Sequence, residues 1–317
     1  MPNSSSQQGI GVTAVAAHIP PGYLDNVERA RVLEASPELL HDKIGVRRVS
    51  RKAPEQEASD LGILAVQKLF DQGAVDPAEV DCLVVVTQNP DGYGLPHTSA
   101  RIHGRLGLSR SCAVFDMSLG CSGYVYGLAM MQGFMQGQGF KRGLLVTSDP
   151  YSRIINLADR NTSLLFGDGA AATLLTDDPV WRIGRFDLGS DGSICEELAV
   201  IDETRQLYMN GRAVLNFSAK QVPDSIRRAL ALNALTLDEV DLFLLHQGSR
   251  HIVRTIAKRL EIEESRAPFL AADYGNTVSS SLPIMMTDPA VQQARTLLLS
   301  GFGVGLSWGS TVLTRSS

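Results

Sequence analysis

A cysteine, a histidine and an asparagine stand in this chain where their chemistry can be used. Cys121 lies in Val114-Phe-Asp-Met-Ser-Leu-Gly-Cys-Ser-Gly-Tyr-Val-Tyr-Gly-Leu128, where an apolar strand-like run ends in a turn of small residues and a helix should begin. Free backbone N–H groups at a helix N-terminus, together with the helix dipole, favour a thiolate there. The thiolate is the form of cysteine that attacks carbonyls. The plain alternative is a small buried hydrophobe, since free cysteine is among the most buried residue types. His246 sits in Leu-Leu-His-Gln-Gly and Asn276 in Asp-Tyr-Gly-Asn-Thr-Val-Ser-Ser-Ser. A histidine Nε2–H and an asparagine amide N–H are donors suited to a carbonyl oxygen that becomes an enolate. Held together, the three groups fit acyl transfer from another thioester to Cys121, then attack on that acyl group by a carbanion.

The elements that would position them repeat along the chain. Asp76-Pro-Ala-Glu-Val-Asp-Cys-Leu-Val-Val-Val-Thr-Gln88 is echoed by Thr236-Leu-Asp-Glu-Val-Asp-Leu-Phe-Leu-Leu-His-Gln247. Each copy follows a helical pattern, over 58–72 and roughly 219–234. Lys141-Arg-Gly-Leu-Leu-Val-Thr-Ser-Asp149 is echoed by Ala294-Arg-Thr-Leu-Leu-Leu-Ser-Gly301, and Gly169-Ala-Ala-Ala-Thr-Leu-Leu-Thr176 by Trp308-Gly-Ser-Thr-Val-Leu-Thr314. Helices alternating with short apolar strands predict an α/β fold with buried sheets. Echoes in one order predict two pseudo-symmetric halves, 1–178 with Cys121 and 179–317 with His246 and Asn276. Sites in open α/β units form beyond the carboxyl ends of strands, so the two halves should face a shared cleft. A papain-like protease also uses Cys, His and Asn, with the His activating the thiol directly. That family's local Cys signature is absent, and a duplicated α/β chain is the wrong scaffold.

The chain has 317 residues, 44% hydrophobic and 20% charged, which is ordinary for a folded globular protein. A formal charge of −5 argues against a nucleic-acid or anionic-membrane surface. The first eight residues are polar and lack the apolar core of a signal peptide, and no apolar run approaches membrane-spanning length. A cytoplasmic location is expected. The four cysteines (Cys82, Cys112, Cys121 and Cys195) are far apart without C-x-x-C spacing, so neither a disulfide framework nor a zinc site is expected. Cys82 and Cys112 read as core, and Cys195 falls in a Gly/Ser-rich loop. The Gly301–Gly305 run lies between two strand-like runs and lacks the helix of a nucleotide fingerprint. Phe166-Gly-Asp-Gly-Ala reads as a turn held by Gly and Asp. His18, His41, His97 and His103 read as structural or surface residues.

These segments resemble the thiolase superfamily, specifically β-ketoacyl-acyl-carrier-protein synthase III. The likeness runs from Gly9-Ile-Gly-Val to Ser310-Thr-Val-Leu. It rests on the Cys121 turn, Asp159-Arg-Asn-Thr-Ser-Leu-Leu-Phe-Gly-Asp-Gly-Ala170, His246-Gln247, Tyr274-Gly-Asn-Thr277 and Gly301-Phe-Gly-Val-Gly-Leu-Ser-Trp-Gly309. The resemblance implies a thiolase-like fold with a layered α-β-α-β-α core, and a decarboxylative Claisen condensation in fatty-acid or specialised lipid synthesis. Cys121 would accept an acyl group from acyl-CoA, with the N–H groups of Cys121 and Val304 as oxyanion hole. His246 and Asn276 would hold the thioester carbonyl of malonyl-acyl carrier protein while CO₂ leaves. Phe302 would lie against the malonyl carboxylate, and Gly305 belongs to the same turn. No cofactor or metal is required, the coenzyme A thioester being substrate. A biosynthetic thiolase would need a second cysteine near the last Gly-rich turn, and an elongating synthase a second histidine where Asn276 stands; neither is present.

Some positions depart from the family pattern. Leu39 and Lys43 stand where a Trp and an Arg often sandwich the CoA adenine, losing the aromatic and guanidinium stacking. Arg153 matches an Arg near the CoA site. Leu95, before Pro96, matches a residue that a partner subunit inserts at the bottom of the acyl pocket. Being smaller than the usual Phe, it suggests a medium-chain acyl group, although neighbouring side chains refilling the space is an equal alternative. A homodimer is implied. Arg250, Arg254 and Lys258 are spaced i, i+4, i+8 on the helix after His246, with Arg259 adjacent. They form a stripe that is either a solvated face or a dock for an acidic carrier protein. Two other readings compete: an acyltransferase to an oxygen or nitrogen nucleophile without decarboxylation, and a non-catalytic partner subunit. The second would be expected to have lost one of the three groups.

Overall fold

The Glu-Val-Asp repeat has a structural cause. The computed structural model describes residues 9–316, so the polar stretch read as lacking a signal peptide lies outside the described residues. Ten strands form the main sheet: β1 (Gly11–His18), β2 (Cys82–Val86), β3 (Ala113–Met117), β4 (Arg142–Ser148), β5 (Ala170–Thr176), β6 (Trp181–Ile183), β7 (Asp187–Ser190), β8 (Leu242–Leu245), β9 (Thr296–Gly303) and β10 (Ser307–Arg315). Asp81 lies just before β2, and its carboxylate accepts the N–H groups of Lys141 and Arg142 at the start of β4 (2.7 and 2.9 Å). Asp241, just before β8, does the same for Arg295 and Thr296 at the start of β9 (2.7 and 2.9 Å). In each half one aspartate closes the gap between two neighbouring parallel strands.

Pairing repeats as well. β2 runs parallel to β4, which is antiparallel to β5, which is antiparallel to β1. In the second set β8 runs parallel to β9, which is antiparallel to β10, which pairs antiparallel with β6 and β7. The two sets meet at a single residue pair between β1 and β6, Val12 with Trp181, so all ten strands are hydrogen-bonded into one sheet. β2, β4, β5 and β9 are apolar on both faces because helices cover both.

Five longer helices make the layers: α1 (Ala58–Asp71), α2 (Thr98–Leu106), α3 (Gly123–Gln138), α4 (Gly211–Leu232) and α5 (Arg250–Leu260). α1 and α2 cover the outer face of the first strand set, and α4 lies on β9 and β10 with α5 against it. α3 touches β2 and β4 on one side and β9 and β10 on the other. It is therefore the inner layer, and its residues Tyr124, Val125, Leu128, Met131 and Met135 are buried in a core shared by both strand sets. This is the layered α-β-α-β-α arrangement. α1 matches the expected helix, whereas α4 begins eight residues before its expected start. The Asn210 side chain caps it by accepting the Ala213 N–H, and Pro223 lies inside the helix instead of ending it. Among the described residues, no helix is long and apolar enough to cross a membrane.

Candidate active site

The turn after β3 places Cys121 immediately before α3, and its side chain is buried. Opposite stands the hairpin turn between β9 and β10. Gly303 has φ +153°, and a Cβ there would lie 2.8 Å from both Cβ and Sγ of Cys121. Glycine is thus required for the two turns to approach so closely. The backbone N–H groups of Val304 and of Cys121 itself act on the Cys121 sulfur and lower its pKa. Burial acts first and more strongly: together with Asp149 it pushes the thiol up to about 12. A helix N-terminus was expected to favour the thiolate. Removal from water outweighs that effect. Cys82 and Cys112 are also pushed up by burial, to about 12 and about 11. What sets Cys121 apart is therefore its two N–H donors and its access to a cavity.

His246 follows β8 directly and is buried. Burial pushes its pKa down to about 3, so the ring is neutral. Its Nδ1 lies 2.7 Å from the Ser281 hydroxyl, and a hydroxyl donating there leaves the ring proton on Nε2. The Phe302 ring meets the imidazole edge-on with centroids 5.5 Å apart. The neighbouring Gln247 is structural, its oxygen accepting from Leu270 and Ala271 and its nitrogen donating to Leu245 and Pro268.

Asn276 is held by its backbone to the first half, its N–H donating to Leu165 (2.8 Å) and its carbonyl accepting from Gly167 (3.0 Å). Its side-chain oxygen accepts the Val278 N–H at 2.8 Å, which leaves the amide N–H₂ as the free end. Val278 reaches that position with φ +55°, a left-handed conformation that is strained for a β-branched residue. Asp149 ties the two halves behind the site, its carboxylate accepting from the Gln88 N–H (2.7 Å) and the Ser279 hydroxyl (2.5 Å). Burial pushes its pKa up to about 6.

Cys121, His246, Asn276 and Phe302 line one cavity of about 680 Å³, with Leu39 and Lys43 also on its wall. Sequence reasoning missed Asn161, Asn210 and Arg212, which line it too. Two of them carried a signal: Asn161 lies inside the Asp159–Ala170 segment, and Asn210 is a capping residue ahead of a helix. Arg153 is elsewhere. It lines a second cavity and donates to the carbonyls of Pro90 and Gly92 (2.8 and 2.7 Å). Arg160 donates to the Glu34 carbonyl at 3.3 Å, and Arg212 shares the cavity wall with Leu39 and Lys43. Gly305 is exposed and lines neither cavity, and Leu95 is 89% exposed. The basic stripe on α5 is uneven. Arg250 folds onto Gly45 and the Phe269 ring, Arg254 pairs with Glu264 at 3.0 Å, and Lys258 and Arg259 are exposed. Asp168 accepts the N–H groups of Lys52 and Ser152, as expected of a turn residue.

Fold and site define a protein of the thiolase-like class, with a cysteine at the start of the inner helix facing donors from the opposite half. Profiles of the two domains of 3-oxoacyl-[acyl-carrier-protein] synthase III match residues 115–192 and 230–315. A β-ketoacyl-[acyl-carrier-protein] synthase III of a Nostoc species is 32% identical, with 96% of this chain and 97% of that protein covered. A crystal structure of a 3-oxoacyl-(acyl-carrier-protein) synthase III superposes with a TM-score of 0.90 at 34% identity, covering 97% of this chain and all of that one. The priming β-ketosynthase of the R1128 polyketide pathway superposes at 0.88 with 27% identity, covering 99% and 98%. The chain belongs to the 3-oxoacyl-[acyl-carrier-protein] synthase III family and is an enzyme of that family, a transferase of the kind that works in fatty-acid biosynthesis.

Proposed function

We propose that this enzyme condenses an acyl thioester with malonyl-acyl carrier protein through an acyl-Cys121 intermediate. The observation that carries the reading is the meeting, in one cavity, of a sulfur under two N–H donors and two further donors from the other half. In the first step the Cys121 sulfur attacks the thioester carbonyl of acyl-CoA. The thiol proton leaves with the departing CoA thiolate, so the reaction does not require a standing thiolate on Cys121. The N–H groups of Cys121 and Val304 hold the tetrahedral oxyanion. In the second step the malonyl thioester carbonyl accepts from His246 Nε2–H and the Asn276 amide. Loss of CO₂ leaves an enolate between those donors, its carbon attacks the acyl carbonyl, and the Cys121 thiolate departs. A neutral His246 suits this role as a donor whose proton stays in place. The apolar face of Phe302 disfavours the malonyl carboxylate and so favours its loss. No metal or redox cofactor enters the balance.

Leu39 and Lys43 would flank the CoA end of the donor, with Arg212 on the wall of the same cavity. Exposed Lys258 and Arg259 are the cations of the stripe best placed to meet an acidic carrier protein. The exposed Tyr93 and Leu95 suit insertion into a second copy of the chain, where Leu95 would leave room for a medium-chain acyl group. Intact-protein mass after incubation with acyl-CoAs from acetyl to dodecanoyl tests the first step, and CO₂ release from malonyl-acyl carrier protein the second. Adducts on wild type but not on Cys121→Ala, followed by CO₂ release, are expected. An acylated enzyme that passes its acyl group to water, oxygen or nitrogen without CO₂ would contradict the reading.

A further inference from the structure

The hairpin turn that faces Cys121 is built from residues that resist rotation poorly. Val304 stands between Gly303 and Gly305, whose φ values of +153° and +124° are open to glycine and to few other residues. Both neighbours can turn with little steric resistance, yet the Val304 N–H must point at one spot beside the Cys121 sulfur to act there as a donor. Contact with the cysteine turn fixes part of its position. A Cβ on Gly120 would lie 2.6 Å from Cγ1 of Val304, and one on Gly301 would lie 2.7 Å from the Cys121 carbonyl oxygen. Such contacts set how near the two turns lie, but not which way the peptide groups of Val304 point.

Two serines outside the proposed chemistry supply the direction. Ser307 pairs with Gly303 across the hairpin, and its hydroxyl donates to the Val304 carbonyl at 3.0 Å. That bond takes the one proton of the Ser307 hydroxyl, so the Ser307 oxygen accepts from the Ser122 hydroxyl, 2.7 Å away. Ser122 is the residue after the nucleophile, and both serines are buried. Two hydrogen bonds in series thus run from the cysteine turn to the far side of Val304, through serines 185 residues apart in the chain. The carbonyl and the N–H of Val304 share one Cα, so an anchored carbonyl leaves the N–H few directions to take.

We propose that Ser122 and Ser307 are positioning residues that aim the Val304 N–H at the oxyanion formed when a thioester reacts with Cys121. The inference rests on the acyl-Cys121 reading and adds to it two side chains that act through Val304. The test is single-turnover acylation, read by intact mass, with whichever acyl-CoA from acetyl to dodecanoyl labels wild type fastest. Ser307→Val and Ser307→Thr match in shape and differ in the hydroxyl. At saturating acyl-CoA, Ser307→Val should acylate about 10- to 100-fold more slowly with its half-saturating concentration unchanged, a smaller loss than outright removal of an oxyanion donor. Ser307→Thr should stay within about threefold of wild type, because it keeps the donor. Iodoacetamide alkylation of Cys121 builds no oxyanion and should fall by no more than about threefold in Ser307→Val at constant pH. Ser122→Ala should slow acylation by about three- to tenfold and add nothing in the Ser307→Val background, since the two serines act through one chain of bonds. If Ser307→Val does not fold, Ser122→Ala carries the test alone, and acylation at the wild-type rate would overturn the inference. Equal acylation by the Val and Thr variants, or equal losses in acylation and alkylation, would overturn it while leaving acyl-Cys121 intact. Absence of any adduct on wild type from any acyl-CoA or carrier-protein thioester would instead overturn the acyl-enzyme reading, and this inference with it.

Discussion

The two strands that follow Glu-Val-Asp are built alike and end differently. Asp81 and Asp241 each bind the first two N–H groups of a neighbouring parallel strand, and both strands are largely buried. Beyond β2 the chain continues as Thr87-Gln88, which grips Asp149 and faces the second cavity. Beyond β8 it continues as His246-Gln247, which faces the first cavity and anchors the loop from Pro268 to Ala271. The frame is held by strand pairing and aspartate caps, while the chemistry is decided by one or two residues past the strand ends. One half thus supplies the nucleophile and the other the donors, and only the hairpin turn of Gly303 and Val304 crosses between these duties.

That crossing is the place to break the comparison. Gly303→Ala lies in the donor half, yet its Cβ would sit 2.8 Å from the Cys121 side chain. It should slow acylation by about a hundredfold or more, as expected for misplacement of a reacting atom by about 1 Å. Single-turnover acylation followed by intact mass checks this, and near-normal acylation would remove the turn from the nucleophile's surroundings. Next comes the ionisation of Cys121. With its thiol pushed up to about 12, the thiolate fraction rises about tenfold per pH unit throughout the range below that value. Iodoacetamide labelling of Cys121, located by peptide mapping, should therefore climb from pH 7 to 9.5 without a plateau. A plateau below pH 8 would mean that the helix N-terminus dominates after all. His246, pushed down to about 3, stays neutral and should add no acid limb to the condensation rate between pH 8 and 5. Smallest is Ser281→Ala, which removes the hydroxyl at Nδ1 of His246 and should lower condensation about tenfold with acylation unchanged. An equal fall in both steps would assign Ser281 to packing instead.

Much of this was legible because it is local. The Glu-Val-Asp echo reflects a cap made within a strand and its neighbour, so it survives in the sequence of both halves. The Cys121 turn, His246 and Asn276 stand at strand ends, where small and polar residues interrupt apolar runs visibly. The sign of the Cys121 shift was not legible, because burial is set by Gly303 and Phe302 arriving from nearly two hundred residues away. The place of Arg153 was hidden for the same reason, its partners being the carbonyls of a distant loop. α4 starts earlier than expected because its first turns are fixed by the Asn210 cap and by tertiary packing on β9 and β10, which the apolar pattern of the segment does not display. The uneven stripe on α5 shows the limit of spacing arguments: i, i+4, i+8 sets the face, but Gly45, Phe269 and Glu264 decide which cations remain available.

The division of labour between the halves is tested most directly by measuring the two half-reactions separately in His246→Ala and Asn276→Ala. Acyl-Cys121 formation should stay within about threefold of wild type, while condensation with malonyl-acyl carrier protein should fall by about 100- to 1,000-fold, the usual effect of removing one donor to a developing oxyanion. Equal losses in both half-reactions, or condensation at the wild-type rate, would contradict the account.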